Sequence, residues 1–133
     1  MFAPGDSGLG PKADALIEQF RIGHVAHRKA GELSYGQQKL VDIGMAFMSD
    51  PHLVLLDEPC AGVNPSLVGG ISTLLKQLNR ERKSSFVVIE HNMDFVMDLC
   101  DRILVMVEGR VMALGTPAEI RADKQVLDAY LGN

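Results

Sequence analysis

A chain of 133 residues with 47% hydrophobic content has the length and the apolar content of one folded domain. Its formal charge of −4, without a clustered basic run, argues against a nucleic-acid partner, because binding a phosphate backbone needs a concentrated basic surface. The longest uninterrupted apolar run, Ile103 to Val107, is far short of the roughly 18–20 residues that cross a bilayer, and the N-terminus lacks a charged-then-apolar signal pattern. A soluble, cytoplasmic protein is expected. The two cysteines, Cys60 and Cys100, stand in unrelated contexts, so neither a zinc site nor a disulfide framework is indicated.

Residues 1–11 are crowded with Gly, Pro, Asp and Ser and read as a flexible leader. From Asp14 the spacing of Ala15, Leu16, Gln19-Phe20 and Ile22 predicts a short amphipathic helix ending near Gly23, followed by a polar connection from His24 to Ala30. Ser34 and Gln37 stand in capping-box relation, and Leu40, Ile43, Gly44 and Phe47 repeat at helical spacing, which predicts a helix over 36–47 that stops before Pro51. Leu53 to Leu56 is a continuous apolar run, the pattern of a central strand covered on both faces, and Asp57-Glu58-Pro59 follows it directly.

Asn64-Pro65 then caps a helix whose apolar stripe is Leu67, Ile71, Leu74, Leu75 and Leu78. Phe86 to Ile89 reads as a second buried strand ending in Glu90-His91. Asn92 caps a helix with Met93, Val96, Leu99 and Cys100 on one side. Ile103 to Val107 is a third strand, and the turn signal Glu108-Gly109 returns Arg110 to Leu114 as its hairpin partner. Thr116-Pro117-Ala118-Glu119 is a second capping box, and a last helix from about Lys124 carries Val126, Leu127 and Tyr130. Strands alternating with helices predict an α/β layered fold.

Chemistry concentrates in a few segments. Gly31-Glu32-Leu33-Ser34-Tyr35-Gly36-Gln37-Gln38 places a hydroxyl and unpaired N–H groups at a helix N-terminus, an anion site in principle and an ordinary capped helix otherwise. Asp57 and Glu58, adjacent at a strand end, point in different directions and can hold different tasks. Gly5 and Gly10 have the separation of the two glycines in a phosphate-binding G-x-x-x-x-G-K-[ST] loop, but no strand precedes them and Pro11 stands where the lysine belongs. His24, His27 and His52 have no ligand spacing, and the methionines are scattered through apolar faces.

Taken together, Leu33-Ser34-Tyr35-Gly36-Gln37, the strand ending in Asp57-Glu58-Pro59, Ala61-Gly62-Val63-Asn64-Pro65 and His91 resemble, in order and spacing, the signature motif, Walker B strand, D-loop and switch histidine of the ATP-binding cassette (ABC) ATPases. Tyr35 stands where Gly is common in the signature. The same variant is familiar among ATPases of branched-chain amino-acid importers, which the tail Gly115-Thr116-Pro117-Ala118-Glu119-Ile120 also resembles, with urea/amide importers and the lipopolysaccharide-export ATPase as near alternatives.

The resemblance covers about residues 12–133 and implies a partial P-loop NTPase domain: a parallel-sheet core (51–133) with part of a helical subdomain (12–50), its P-loop strand missing. It implies Glu58 as general base, His91 as γ-phosphate contact, and Asp57 as a Mg²⁺ ligand through water. The ATP contacts it implies are Ser34, Tyr35, Gly36, Gln37 and, from the D-loop, Asn64. The implied partners are a second ATPase subunit, transmembrane permease subunits and an N-terminal half bearing the P-loop, at the inner face of the membrane. Without that loop the chain is expected to be inactive alone, to bind ATP negligibly, and to self-associate through unpaired strand edges. The competing reading is a non-catalytic interaction module. A DNA-repair or chromosome-structure ATPase lacks support, since no heptad run occurs.

Overall fold

Leu9–Gln19 forms the first helix, α1, which begins five residues earlier than the apolar period predicts. Pro11 is tolerated there because the N–H groups of a first turn have no intrahelical acceptor, so the missing donor costs nothing. The computed structural model describes residues 8–131, so residues 8–11 of the expected leader are turn and helix, and residues 1–7 lie outside the described residues. Lys12, the lysine of the Gly5–Lys12 segment, is ion-paired with Asp50. Hydrogen bonding from that ammonium holds the Asp50 carboxyl below its ordinary range.

The chain divides into two compact units, one ending at Glu90 and one starting at His91. In the first, short 3-10 turns at Gly23–Val25 and Ala30–Glu32 replace the expected polar connection, and Val25 is buried. Helix α2 covers Tyr35–Ala46 with both halves of the Ser34/Gln37 capping box formed. A 3-10 turn, Phe47–Ser49, ends at Asp50 in a left-handed conformation, which turns the chain into strand β1, Leu53–Asp57. Helix α3, Pro65–Arg82, is capped by Asn64 and buries Ile71, Leu74, Leu75 and Leu78, whereas Leu67 at its first turn stays exposed.

Strand β2, Ser85–Ile89, pairs parallel with β1, Leu53 opposite Ser85 through Asp57 opposite Ile89. Its start is fixed by Ser84 Oγ donating to Pro51 O at 2.6 Å and Ser85 N–H donating to His52 O at 2.8 Å. The rings of Phe20, Phe47 and Phe86 pack successively in tilted pairs at 6.4 and 6.1 Å between centroids, which ties the end of α1, the 3-10 turn and β2 into one core.

One expectation fails on this sheet. A continuous apolar run predicts cover on both faces, yet Leu53, Leu55, Val87 and Ile89 are 54%, 71%, 52% and 63% exposed, and they share one face by the parallel register. Only the Val54 side is packed. Side chains alternate along a strand, so a continuous run records that both faces are apolar and not what covers them.

In the second unit, α4 (Met93–Leu99) buries Phe95, which the sequence spacing passed over. Strands β3 (Ile103–Val107) and β4 (Arg110–Gly115) form an antiparallel hairpin. Glu108 and Gly109 both take positive φ, 49° and 75°, the requirement of a two-residue turn matched to sheet twist. Thr116 and Glu119 complete the second capping box, and the backbone and hydroxyl bonds from Thr116 hold the Glu119 carboxyl below its ordinary range. Helices α5 (Pro117–Ala122) and α6 (Lys124–Leu131) bring Ile120 and Val126 against Ile103.

The two sheets have two strands each, β1-β2 and β3-β4, so among the described residues β2 and β3 each keep one unpaired edge. The centre of the first unit's packing is α3. Leu75 is fully buried, and Leu75→Ala is expected to lower unfolding free energy by about 2–5 kcal/mol through lost transfer energy and a residual cavity. Urea unfolding monitored by circular dichroism measures it, and a loss below about 1 kcal/mol would mean that α3 is not the packing centre.

Candidate functional site

The loop that leaves β1 is built as a tight turn. Glu58 has φ 45°, a left-handed conformation that a residue with a side chain adopts at a cost of about 1–3 kcal/mol unless its surroundings enforce it. They do so here. Glu58 N–H donates to Ile89 O at 2.9 Å, continuing the β1–β2 ladder one residue beyond the strand, and Ala61 N–H donates back to Glu58 O at 3.1 Å. Cys60 N–H donates to the Glu90 carboxylate, Oε1, at 2.8 Å. Asp57 and Glu58 are both exposed at the carboxyl end of the parallel pair, the end at which open α/β sheets place ligands.

Cys60 is buried in this turn. Its thiol is pushed up to about 12, first by burial and then by the charge of Glu90 and a hydrogen bond to it. It therefore stays neutral at any physiological pH and is a packing group. Burial, aided by the charge of Asp101, raises the Cys100 thiol as well.

The second half of the loop is packed by the N-terminus of α2. At Gly62, φ 68°, a Cβ would lie 3.0 Å from Cε1 and 3.2 Å from Cδ1 of the Tyr35 ring. At Gly36 a Cβ would lie 3.2 Å from Leu67 Cδ1. Both glycines therefore permit a close approach that a side chain would block, and the Lys39 ammonium sits 5.6 Å from the centroid of the Tyr35 ring. The ring is half exposed where it rests on the loop, and Gly36 beside it is buried.

At that helix start, Ser34 Oγ accepts Gln37 N–H at 3.3 Å while Ser34 N–H donates to Gln37 Oε1 at 2.9 Å. The capping box consumes the N–H of Gln37 and leaves those of Tyr35 and Gly36 without an intrahelical acceptor, as first-turn positions. Gln37 Nε2 also lies 3.4 Å from His24 Nε2, a neighbour that nothing in the spacing of His24 announced. Ser34, Gly36 and Gln37 line one wall of a groove of about 510 Å³ whose other walls include Val63, Leu67 and Gly70. Asn64 uses its side-chain oxygen locally, accepting Ser66 N–H and Ser66 Oγ, both at 3.0 Å.

The first unit thus brings Ser34, Tyr35, Gly36 and Gln37 onto the loop that carries Asn64 and that begins at Asp57 and Glu58. His91 is the first residue of the second unit, exposed, two positions before α4. Among the described residues no cluster of three or more His, Cys, Asp or Glu side chains is placed to hold a metal. A single exposed carboxylate such as Asp57 fits a cation whose shell is made of water and phosphate oxygens, which it would meet through one of those waters.

A family model described as ABC transporter matches residues 8–61, and one described as Branched-chain amino acid ATP-binding cassette transporter matches residues 110–133. The chain belongs to the ABC transporter ATP-binding proteins. It is 39% identical to the high-affinity branched-chain amino acid transport ATP-binding protein BraF of Pseudomonas aeruginosa, over 87% of this chain and 46% of that protein. It is 38% identical to the lipopolysaccharide export system ATP-binding protein LptB of Haemophilus influenzae, over 91% of this chain and 50% of that protein.

Among solved structures, the ADP conformation of MJ1267, an ATP-binding cassette of an ABC transporter, superimposes with a TM-score of 0.86 at 35% identity, over 99% of this chain and 53% of that one. The chain spans about half the length of the curated relatives it matches. Its mixed α/β fold is the corresponding part of an ABC ATPase domain.

The contact between Tyr35 and Gly62 is open to direct test. Gly62→Ala adds a methyl group against the ring and strains a positive φ, so a loss of stability of about 1 kcal/mol or more is expected. Tyrosine emission, measured with Tyr130→Phe so that Tyr35 alone reports, should shift. An unchanged spectrum and unchanged stability would contradict the packing of the helix start on the loop.

Proposed function

We propose that the chain supplies one face of a composite ATP site in a transporter that takes up branched-chain amino acids. Residues 12–50 would belong to the helical subdomain and residues 51–133 to the catalytic core. The observation that carries the reading is the turn after β1. It presents two carboxylates at the ligand-binding end of a parallel strand pair, and the start of α2 packs on the same loop.

In this reading Glu58 draws a proton from the attacking water, and its anchored backbone fixes the direction of its carboxylate. Ser34 Oγ and the N–H groups of Tyr35 and Gly36 receive the γ-phosphate of a nucleotide held by a second subunit, with Gln37 holding the serine in place. Asn64 lies on the segment that crosses to that subunit. His91 serves as a γ-phosphate contact, and Asp57 holds a water of the Mg²⁺ shell. Bound Mg²⁺ would offset charge on the phosphate oxygens during transfer.

The phosphate cradle has to come from elsewhere, because no G-x-x-x-x-G-K-[ST] occurs in these 133 residues. A P-loop-bearing segment or subunit is therefore an obligate partner for hydrolysis, and permease subunits are the partners for transport. The open edges of β2 and β3 and the bare apolar face of β1–β2 suit pairing with such a segment or with a second copy. No helix among the described residues is long and apolar enough to cross a membrane, and the transporter reading itself puts the chain at the cytoplasmic side of the permease.

In a transporter assembled with this chain, Glu58→Gln should lower ATP turnover by about 10²–10⁴-fold while ATP still closes the dimer, because shape is kept and the base is lost. Ser34→Arg should block closure by placing bulk and charge at the phosphate-facing helix start. Hydrolysis at wild-type rate in both variants would sink the assigned roles.

A further inference from the structure

Of the two bonds that hold the start of the loop to the end of β2, one is backbone to backbone and indifferent to sequence. The other depends on a side chain. Glu90 reaches back across a separation of 30 positions to accept Cys60 N–H at 2.8 Å, a charge-assisted bond that is shorter and stronger than its neutral counterpart. It acts on a turn with little freedom left, because Glu58 N–H is tied to Ile89 O and Ala61 N–H closes on Glu58 O. Glu58 itself is held at φ 45°, a conformation that relaxes when its surroundings stop enforcing it.

We propose that Glu90 is a positioning residue for Glu58: its carboxylate locks the Glu58–Ala61 turn and so fixes the direction in which the Glu58 carboxylate leaves the strand. The inference rests on the reading of Glu58 as the base that activates water. Glu90 touches no reacting atom in this scheme. It acts through the backbone of Cys60, and the thiol of Cys60, packed beside it, is shielded by the same contact. A displacement of about 1 Å at a reacting group costs on the order of 10²-fold in rate, so a loosened turn is enough to slow hydrolysis without touching nucleotide affinity.

Three substitutions separate anchoring from bulk. Glu90→Gln keeps an oxygen at the same reach, Glu90→Asp keeps the charge but withdraws it by one methylene, and Glu90→Ala removes the acceptor. Amide hydrogen exchange of Cys60 in this chain is the first readout. Protection should fall at least about tenfold in the Ala and Asp variants, the worth of a hydrogen bond to a charged group, and should fall less in the Gln variant, which keeps a neutral acceptor at the same reach.

The second readout is hydrolysis by the assembled, P-loop-bearing ATPase. There Glu90→Asp and Glu90→Ala should lower kcat by about tenfold or more with KM for ATP within about twofold, and Glu90→Gln should restore most of the rate. Cys60 protection unchanged in the Asp variant, or a full kcat in it while Glu58→Gln is inactive, would overturn the proposal. Should Glu90→Ala fail to fold, the Asp and Gln pair decides alone. An active Glu58→Gln enzyme would overturn the role of Glu58, and with it the catalytic part of this inference, whereas the exchange measurement would still decide the anchor.

Discussion

Everything proposed for the first unit depends on the parallel pairing of β1 and β2 running past its last ladder pair, Asp57 with Ile89, into the loop. Glu58 N–H on Ile89 O and Cys60 N–H on the Glu90 carboxylate are the continuation. A strand that simply ended at Asp57 would release the next residues as a solvated loop. With two donors caught by the end of β2, the chain is forced through a left-handed residue at Glu58 and turns back within four residues. Two adjacent exposed carboxylates then stand at the carboxyl end of the pair, where separate roles are proposed for Asp57 and Glu58.

The same loop explains the glycines and the tyrosine of the two motifs. Gly62 supplies a positive φ and a surface without a side chain, Tyr35 lays its ring against it, and Gly36 lets the helix start approach Leu67 and Val63. A helix start packed this closely cannot move independently of the turn. A phosphate received at Ser34, as proposed, would therefore be mechanically linked to the loop that begins at Glu58. Tyr35, where glycine is common in the family signature, fits this packing role while leaving its own N–H at the exposed helix start.

Local features were legible in the sequence because their partners lie within a few residues. The capping boxes Ser34/Gln37 and Thr116/Glu119, the Asn64 and Asn92 caps and the Glu108-Gly109 hairpin all formed where the residue types require them. The parallel neighbours β1 and β2 were legible from their apolar runs and from the family pattern. What escaped depends on distant parts of the chain. Val25 and Phe95 are buried by elements their spacing does not name, and Leu53 and Leu55 lie bare because a continuous run is silent about its covering layer. Pro11, read as part of a flexible leader, sits in the first turn of α1. The Glu90 bond to Cys60 and the Tyr35 contact with Gly62 leave no periodic trace, since each joins two loops or helix ends across the fold.

The central claim is that these residues form the half of an ATP site that receives the phosphate but does not cradle it. Calorimetric titration of the chain with Mg-ATP, first alone and then with a P-loop-bearing ATPase half added, addresses that claim most directly. The account predicts no measurable heat of binding in the micromolar range for the chain alone, and binding once the P-loop is supplied. Micromolar affinity in the chain alone would contradict it, because the phosphates would then have found a cradle within these 133 residues.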